Sequence, residues 1–165
     1  MKKAFATLSI LFVSVALFAQ TAQTTQTTAP QTQKKAEDYV KFTETIYDFG
    51  RIKQGVPVTH DFAFSNISGQ PVVIEYASAS CGCTTPTWPQ GAIAKGKNDK
   101  LTAGFNAATP GKFTKPITVK LAGVDVPVQI TITGEVLTAD EYVKYEAAKK
   151  ADEAAKKNGN GKSGK

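Results

Sequence analysis

The sequence predicts an all-β domain, a two-sheet antiparallel β-sandwich, with an export signal before it and a charged helix after it. Three observations carry that expectation. From about Phe42 onward, apolar and polar residues alternate in short runs. Turn chemistry built on Gly and Pro separates those runs, and no helical period lies between them. Successive side chains of a strand point to opposite faces, so a period of two buries one face and wets the other.

Phe62 and Phe64 alternate with Asp61, Ala63 and Ser65, and Leu101, Ala103 and Phe105 with Thr102, Gly104 and Asn106. Ile117, Val119 and Leu121 alternate with Thr118 and Lys120. The longest run places Val124, Val126, Val128, Ile130 and Ile132 on one face, with Pro127, Gln129, Thr131 and Thr133 on the other. Val72 to Tyr76 is more continuously apolar and reads as a central strand. Phe49-Gly50, Gln54-Gly55, Ser68-Gly69-Gln70-Pro71, Lys95-Gly96, Thr109-Pro110-Gly111 and Ala122-Gly123 are the candidate turns. The expected core is Phe62, Phe64, Ile74, Phe105, Ile117, Val119, Val128 and Ile130.

Both flanks differ from this domain. Met1-Lys2-Lys3, the apolar stretch Ala4 to Phe18 and the small Ala19 have the layout of a cleavable signal peptide over residues 1–19. The apolar run is shorter than the ~20 residues of a spanning helix. The expectation is therefore a periplasmic or secreted protein with no membrane span after cleavage. With no Cys near the cleavage point, it is not expected to be a lipoprotein. Gln20 to Lys35 is almost wholly Thr, Gln, Ala and Pro, with no apolar face to offset ordering entropy. It reads as a flexible linker, or alternatively a stalk, and the linker is drawn over 20–41 with the domain over 42–137. At the other end, Thr138-Ala139-Asp140-Glu141 has the form of a capping box opening a helix over 138–158. Asp140–Lys144, Glu146–Lys150, Asp152–Lys156 and Glu153–Lys157 are acid-to-lysine pairs four apart, suited to a solvated helix. Residues 159–165 are expected to be disordered.

Charge narrows function. Residues 42–137 carry eight basic and seven acidic side chains, and the single arginine is Arg51. No basic stripe exists for nucleic acid. Gly-rich phosphate loops and a G-x-S-x-G elbow are absent, no pair of carboxylates is marked out for acid–base work, and no cofactor is expected. His60, the only histidine, reads as a surface or satisfied residue rather than a catalytic or metal-binding one. Asn66-Ile67-Ser68 matches a glycosylation sequon but is more simply a turn.

Cys81 and Cys83, the only cysteines, stand in Ser80-Cys81-Gly82-Cys83-Thr84. Three readings stay open. An exported chain meets an oxidising compartment, and a tight bend at Gly82 would let residues two apart form a labile disulfide. Two thiolates would also suit a soft ion such as Cu(I), and free thiols pack as small hydrophobes. Thr84, Pro86 and Trp88 follow directly. The prolines Pro86 and Pro89 would stiffen this stretch, which makes Thr84, Pro86 and Trp88 a candidate partner-binding loop; alternatively Trp88 caps one end of the sandwich.

Read together, Tyr47-Asp48-Phe49-Gly50, Gly55, Phe62-x-Phe64-x-Asn66, Pro71, Ser80-Cys81-Gly82-Cys83-Thr84-x-Pro86, Gly96, Gly111-Lys112-Phe113 and Gly134 resemble the bacterial domain-of-unknown-function family 1573 over roughly 42–136. The resemblance implies an immunoglobulin-like sandwich related to PapD-like and ASH-type domains, usually in exported proteins. It implies no activity. Two turns depart from the family's habit: Leu121-Ala122-Gly123-Val124 lacks a frequent Asn, and Lys95 precedes Gly96 where Pro is common. The functional expectation is a non-enzymatic binding or scaffold module of the cell envelope, with an envelope protein or glycan as partner, an added strand being the simplest mode of contact. The alternative is a periplasmic thiol-redox or copper-handling protein acting through Cys81 and Cys83.

Overall fold

In the computed structural model, which describes residues 33–159, eight strands build two four-stranded sheets and one helix follows them. The strands are β1 (Val40–Phe42), β2 (Ile46–Lys53), β3 (Val58–Asn66), β4 (Ile74–Ala79), β5 (Thr84–Thr87), β6 (Asn98–Phe105), β7 (Gly111–Leu121) and β8 (Val128–Leu137), and the helix is α1 (Ala139–Gly159). One sheet has the order β1-β3-β6-β5 and the other β2-β8-β7-β4. The expected signal peptide, most of the expected linker and residues 160–165 lie outside the described residues.

The alternating runs supply the inner faces. All eight expected core residues are buried, joined by Leu101, Leu121, Ile132 and Val136 from the same strands. A two-sheet, immunoglobulin-like sandwich is thus what the hydrophobic pattern builds. Three features depart from the sequence reading. First, β2 pairs parallel with β8, from Ile46↔Thr131 to Lys53↔Leu137. Only Thr43-Glu44-Thr45 joins β1 to β2, and the chain crosses from one sheet to the other without reversing direction. Hairpins enforce antiparallel neighbours, but this long-range pairing is under no such constraint.

Second, the apolar run around Ile74 is an edge strand, not a central one. The register shifts between Ile74 and Tyr76, so two residues of β4 face one of β7. That bulge turns both Ile74 and Ala77 inward, three apart, and leaves Tyr76 exposed. Third, the sandwich begins before residue 42. Lys35 bridges Val126, Ala36 N donates to Val126 O at 2.8 Å, and Ala36 and Val40 are buried. The expected linker therefore ends near Lys34, because its last residues hydrogen-bond to the β7–β8 turn.

Tyr47-Asp48-Phe49-Gly50 forms a bulge in β2. Asp48 Oδ1 accepts from Gly50 N at 2.9 Å, and Gly50 holds φ +65°, a left-handed value that glycine adopts without steric cost. Directly beside it, a Cβ on Gly134 would lie 2.7 Å from Phe113 Cζ and 2.8 Å from Gly50 O.

α1 opens on the expected capping box. Thr138 N and Oγ1 donate to Glu141 Oε2 at 2.9 and 2.7 Å, and Glu141 N donates to Thr138 Oγ1 at 3.5 Å. The two Thr138 hydrogen bonds hold the Glu141 carboxyl below its ordinary range. Its stabilisation of the helix start is thus present above the glutamate's unfolded pKa and is lost as pH falls through the lower folded value. Acid titration followed by circular dichroism is expected to remove helix signal from the native chain over that window, and Glu141→Gln to remove that component. Superimposable curves would refute the cap's role.

Candidate functional site at the Cys81–Cys83 end

Three connections meet at one end of the sandwich. Gly55 N donates to Ala107 O at 2.9 Å and Gln54 Nε2 to Ala108 O at 3.0 Å, tying β2–β3 to β6–β7. Asn106 N donates to Cys83 O at 3.1 Å, tying in the turn between β4 and β5. That turn is Ser80-Cys81-Gly82-Cys83, closed by Thr84 N donating to Cys81 O at 3.3 Å. The two sulfurs are bonded to each other in a disulfide. Gly82 does not take a left-handed φ, and a Cβ there would meet nothing within 4 Å, so the bend does not need the glycine's conformational freedom. A ring this small restrains the unfolded chain little, roughly 1.6 kcal/mol by loop entropy against about 3 for a 15-residue loop.

Thr84 corrects the candidate loop. It is 4 % exposed, with Oγ1 3.8 Å from Cys81 Sγ and 3.9 Å from Cys83 Sγ. It therefore faces the sulfurs and the interior, not a partner. The stretch Thr84–Thr87 is a strand on β6, paired from Thr84↔Phe105 to Thr87↔Thr102. Antiparallel partners alternate along a ladder, so Cys83, Thr85 and Thr87 turn their backbone groups to β6 while Thr84 and Pro86 turn theirs outward. Pro86 thus removes the N–H that would template a further strand at this edge. Trp88 lies beyond β5, about 16 Å of extended chain from Cys83, half-buried against the core. The cysteines and Trp88 are not one loop.

Cys83 also lines a cavity of about 410 Å³ between Phe105 of β6 and Lys112, Phe113 and Lys115 of β7. The Phe105 and Phe113 rings stack with centroids 4.2 Å apart. Sequence reasoning missed this cavity because it forms only where the fold brings Cys83 against the distant stretch from Phe105 to Lys115. Ala107, in the connection that walls it, is buried and holds φ +49°, the one positive value on a non-glycine among the described residues.

His60 lies elsewhere, stacked on Tyr47 at 3.4 Å between centroids, with Nε2 2.8 Å from Glu44 Oε1. It closes the flank between β2 and β3. Nearby, Lys100 Nζ and Thr102 Oγ1 donate to Asp61 at 2.7 and 2.6 Å and hold that carboxyl below its usual range. Among the described residues no group of three or more His, Cys, Asp or Glu is placed to hold a metal, and no helix is long and apolar enough to cross a membrane.

Solved structures resemble the fold. The ASH/PapD-like domain of human CEP192 (PapD-like domain 7) aligns with a TM-score of 0.56 at 12 % identity, over 67 % of this chain and 93 % of that one. A protein of unknown function from Porphyromonas gingivalis W83 aligns with a TM-score of 0.50 at 14 % identity, covering 59 % of this chain and 46 % of that chain. The VesB protease of Vibrio cholerae aligns at 0.51 and 12 % identity, with 61 % of this chain matching 33 % of the protease. At such identities the likeness is one of fold alone. No curated protein matches the sequence. The family model for proteins of unknown function DUF1573 matches residues 40–136. That span holds the Gly50 and Gly134 corner, the Cys81–Cys83 turn and all eight strands but the last residue of β8, so the chain belongs to DUF1573.

Proposed function

We propose that the domain is a non-enzymatic binding or scaffold module of the cell envelope, exported by residues 1–19, that receives an extended segment of a partner protein along the free edge of β4. The observation that carries this reading is the contrast among the four sheet edges. β1 has three residues, β5 presents Pro86, and β2 is broken by its bulge and meets α1, where Arg51 lies 5.2 Å from the Tyr145 ring centroid. β4 has six residues and no proline. From Tyr76 to Ala79 it runs without a bulge into the Cys81–Cys83 turn, with the Tyr76 ring exposed beside it. Main-chain pairing along such an edge supplies affinity, and alternate side chains supply specificity.

A photo-crosslinking residue placed at Tyr76, and separately at Ile46 on the opposite edge, tests this in intact cells of the source organism. The expected result is one discrete protein adduct from position 76 and none from position 46. Equal adducts from both, or none from 76, would sink the β4 reading. The mass of the protein isolated from the same cells is expected to begin at residue 20.

A further inference from the structure

Three observations converge on the cavity beside Cys83. Lys112 and Lys115 line it, and neither makes an ion pair among the described residues. Its apolar wall is the Phe105–Phe113 stack, which suits a short hydrocarbon chain. The third observation is Thr84. Its hydroxyl is buried, and the hydrogen-bond partners the structure gives it are the two sulfurs. A hydroxyl held between both sulfurs can donate to whichever one becomes a thiolate.

Beyond the binding role, we propose that the cavity binds a small carboxylate-bearing thiol and that Cys81–Cys83 exchanges with it as a stoichiometric thiol–disulfide partner rather than a turnover catalyst. The carboxylate sits in the positive field of Lys112 and Lys115, and the thiolate attacks Sγ of Cys83, the cysteine that lines the cavity. A new S–S bond forms, the Cys81–Cys83 bond breaks, and Cys81 leaves as a thiolate that Thr84 stabilises before it takes a proton from water. A second thiolate then attacks the incoming sulfur of the mixed disulfide and releases Cys83. Two thiols are oxidised to one external disulfide and the protein is reduced to the dithiol. The lysines raise the local concentration of an anionic thiol and lower the energy of the developing thiolates.

The test is the rate of reduction of the oxidised protein by mercaptoacetate and by cysteamine, each corrected for its thiolate concentration. The reference is a capped Ser-Cys-Gly-Cys-Thr peptide disulfide. The protein is expected to favour the anionic thiol over the cationic one by about tenfold more than the peptide does, as electrostatic steering predicts. Lys112→Gln with Lys115→Gln should return that preference to the peptide's value, whereas Lys149→Gln with Lys156→Gln on α1 should leave it unchanged. Thr84→Val should slow both thiols about tenfold with the preference intact, the rate equivalent of one hydrogen bond to a charged group. Two results would overturn the proposal: a wild-type preference no greater than the peptide's, or one that survives loss of both cavity lysines. Should Thr84→Val fail to fold, the lysine variants still decide.

Discussion

Asn66→Asp is expected to destabilise the domain by about 4 kcal/mol at neutral pH, the cost of two lost buried hydrogen bonds plus a buried charge set against carbonyl oxygens. The Asn66 side chain is 1 % exposed. Its Nδ2 donates to Gln70 O at 2.8 Å and Ile93 O at 2.9 Å, while Oδ1 accepts from Ser68 N at 2.9 Å and Ser68 Oγ at 2.7 Å. One amide thus ties the end of β3 to the β3–β4 turn and to the segment before β6. A carboxylate would turn a charged oxygen toward two carbonyl oxygens. Ile93 O keeps its bond from Val72 N at 3.0 Å and Gln70 O has Ser68 Oγ at 2.8 Å, but both lose the amide donor and face a negative charge. Thermal unfolding should show a fall in midpoint on the order of 15–30 °C, using 4–8 °C per kcal/mol for a domain near this size. The deficit should shrink on acidification, because a protonated carboxyl regains one donor. Sign follows from linkage: burial raises the folded pKa of the new Asp above its unfolded value of about 3.9, so the penalty grows as pH rises past that point. A variant within about 1 kcal/mol of wild type at neutral pH would refute the role given to the amide. The same packing bears on the sequon: the Asn66 nitrogen that a glycan would need already donates to two carbonyls.

Gly134→Ala should cost about 3 kcal/mol, combining backbone strain with overpacking. Its φ is +156°, and the added Cβ would press on the Phe113 ring and on Gly50 O at under 3 Å. The carbonyl cannot move without opening the β2 bulge. Gly123→Ala is the comparison: its φ is +70°, yet a Cβ there meets nothing within 4 Å. That variant should cost only about 1 kcal/mol, from the left-handed backbone alone. Phe113→Leu combined with Gly134→Ala should recover part of the loss, because the nearest clash is with the ring. Equal losses for Gly134→Ala and Gly123→Ala in urea titrations would show that the close approach contributes nothing.

Much of the sandwich is legible in its sequence because one face is buried along whole strands. Leu101, Ala103 and Phe105 announce β6, and Ile117, Val119 and Leu121 announce β7, with no knowledge of their partners. Reading by period fails where the period itself breaks. The bulge after Ile74 shifts parity within a six-residue strand, so an edge looks like a centre. β5 carries a proline and three threonines and reads as a loop; its pairing with β6 makes it a strand, a tertiary preference that overrides local propensity. The parallel match of β2 with β8 joins residues some eighty positions apart and leaves no local trace. At the candidate site, the cysteine pair was visible as a motif. Its surroundings were not: Phe105, Lys112 and Lys115 meet Cys83 only through the fold, and the burial of Thr84 against both sulfurs depends on strand register.

The parallel pairing of β2 and β8 has a mechanical consequence. The chain enters β2 at Ile46 and leaves β8 at Leu137, at opposite ends of the same pair of strands. Tension between the two termini, once β1 has peeled away, draws these strands past each other lengthwise. Every hydrogen bond from Ile46↔Thr131 to Lys53↔Leu137 then bears the load at once, instead of opening singly as in an unzipped hairpin. Rupture under force depends on the unfolding barrier rather than on equilibrium stability. A domain anchored at both ends would therefore act as a stiff link, yielding at its first and last long strands before its core is exposed.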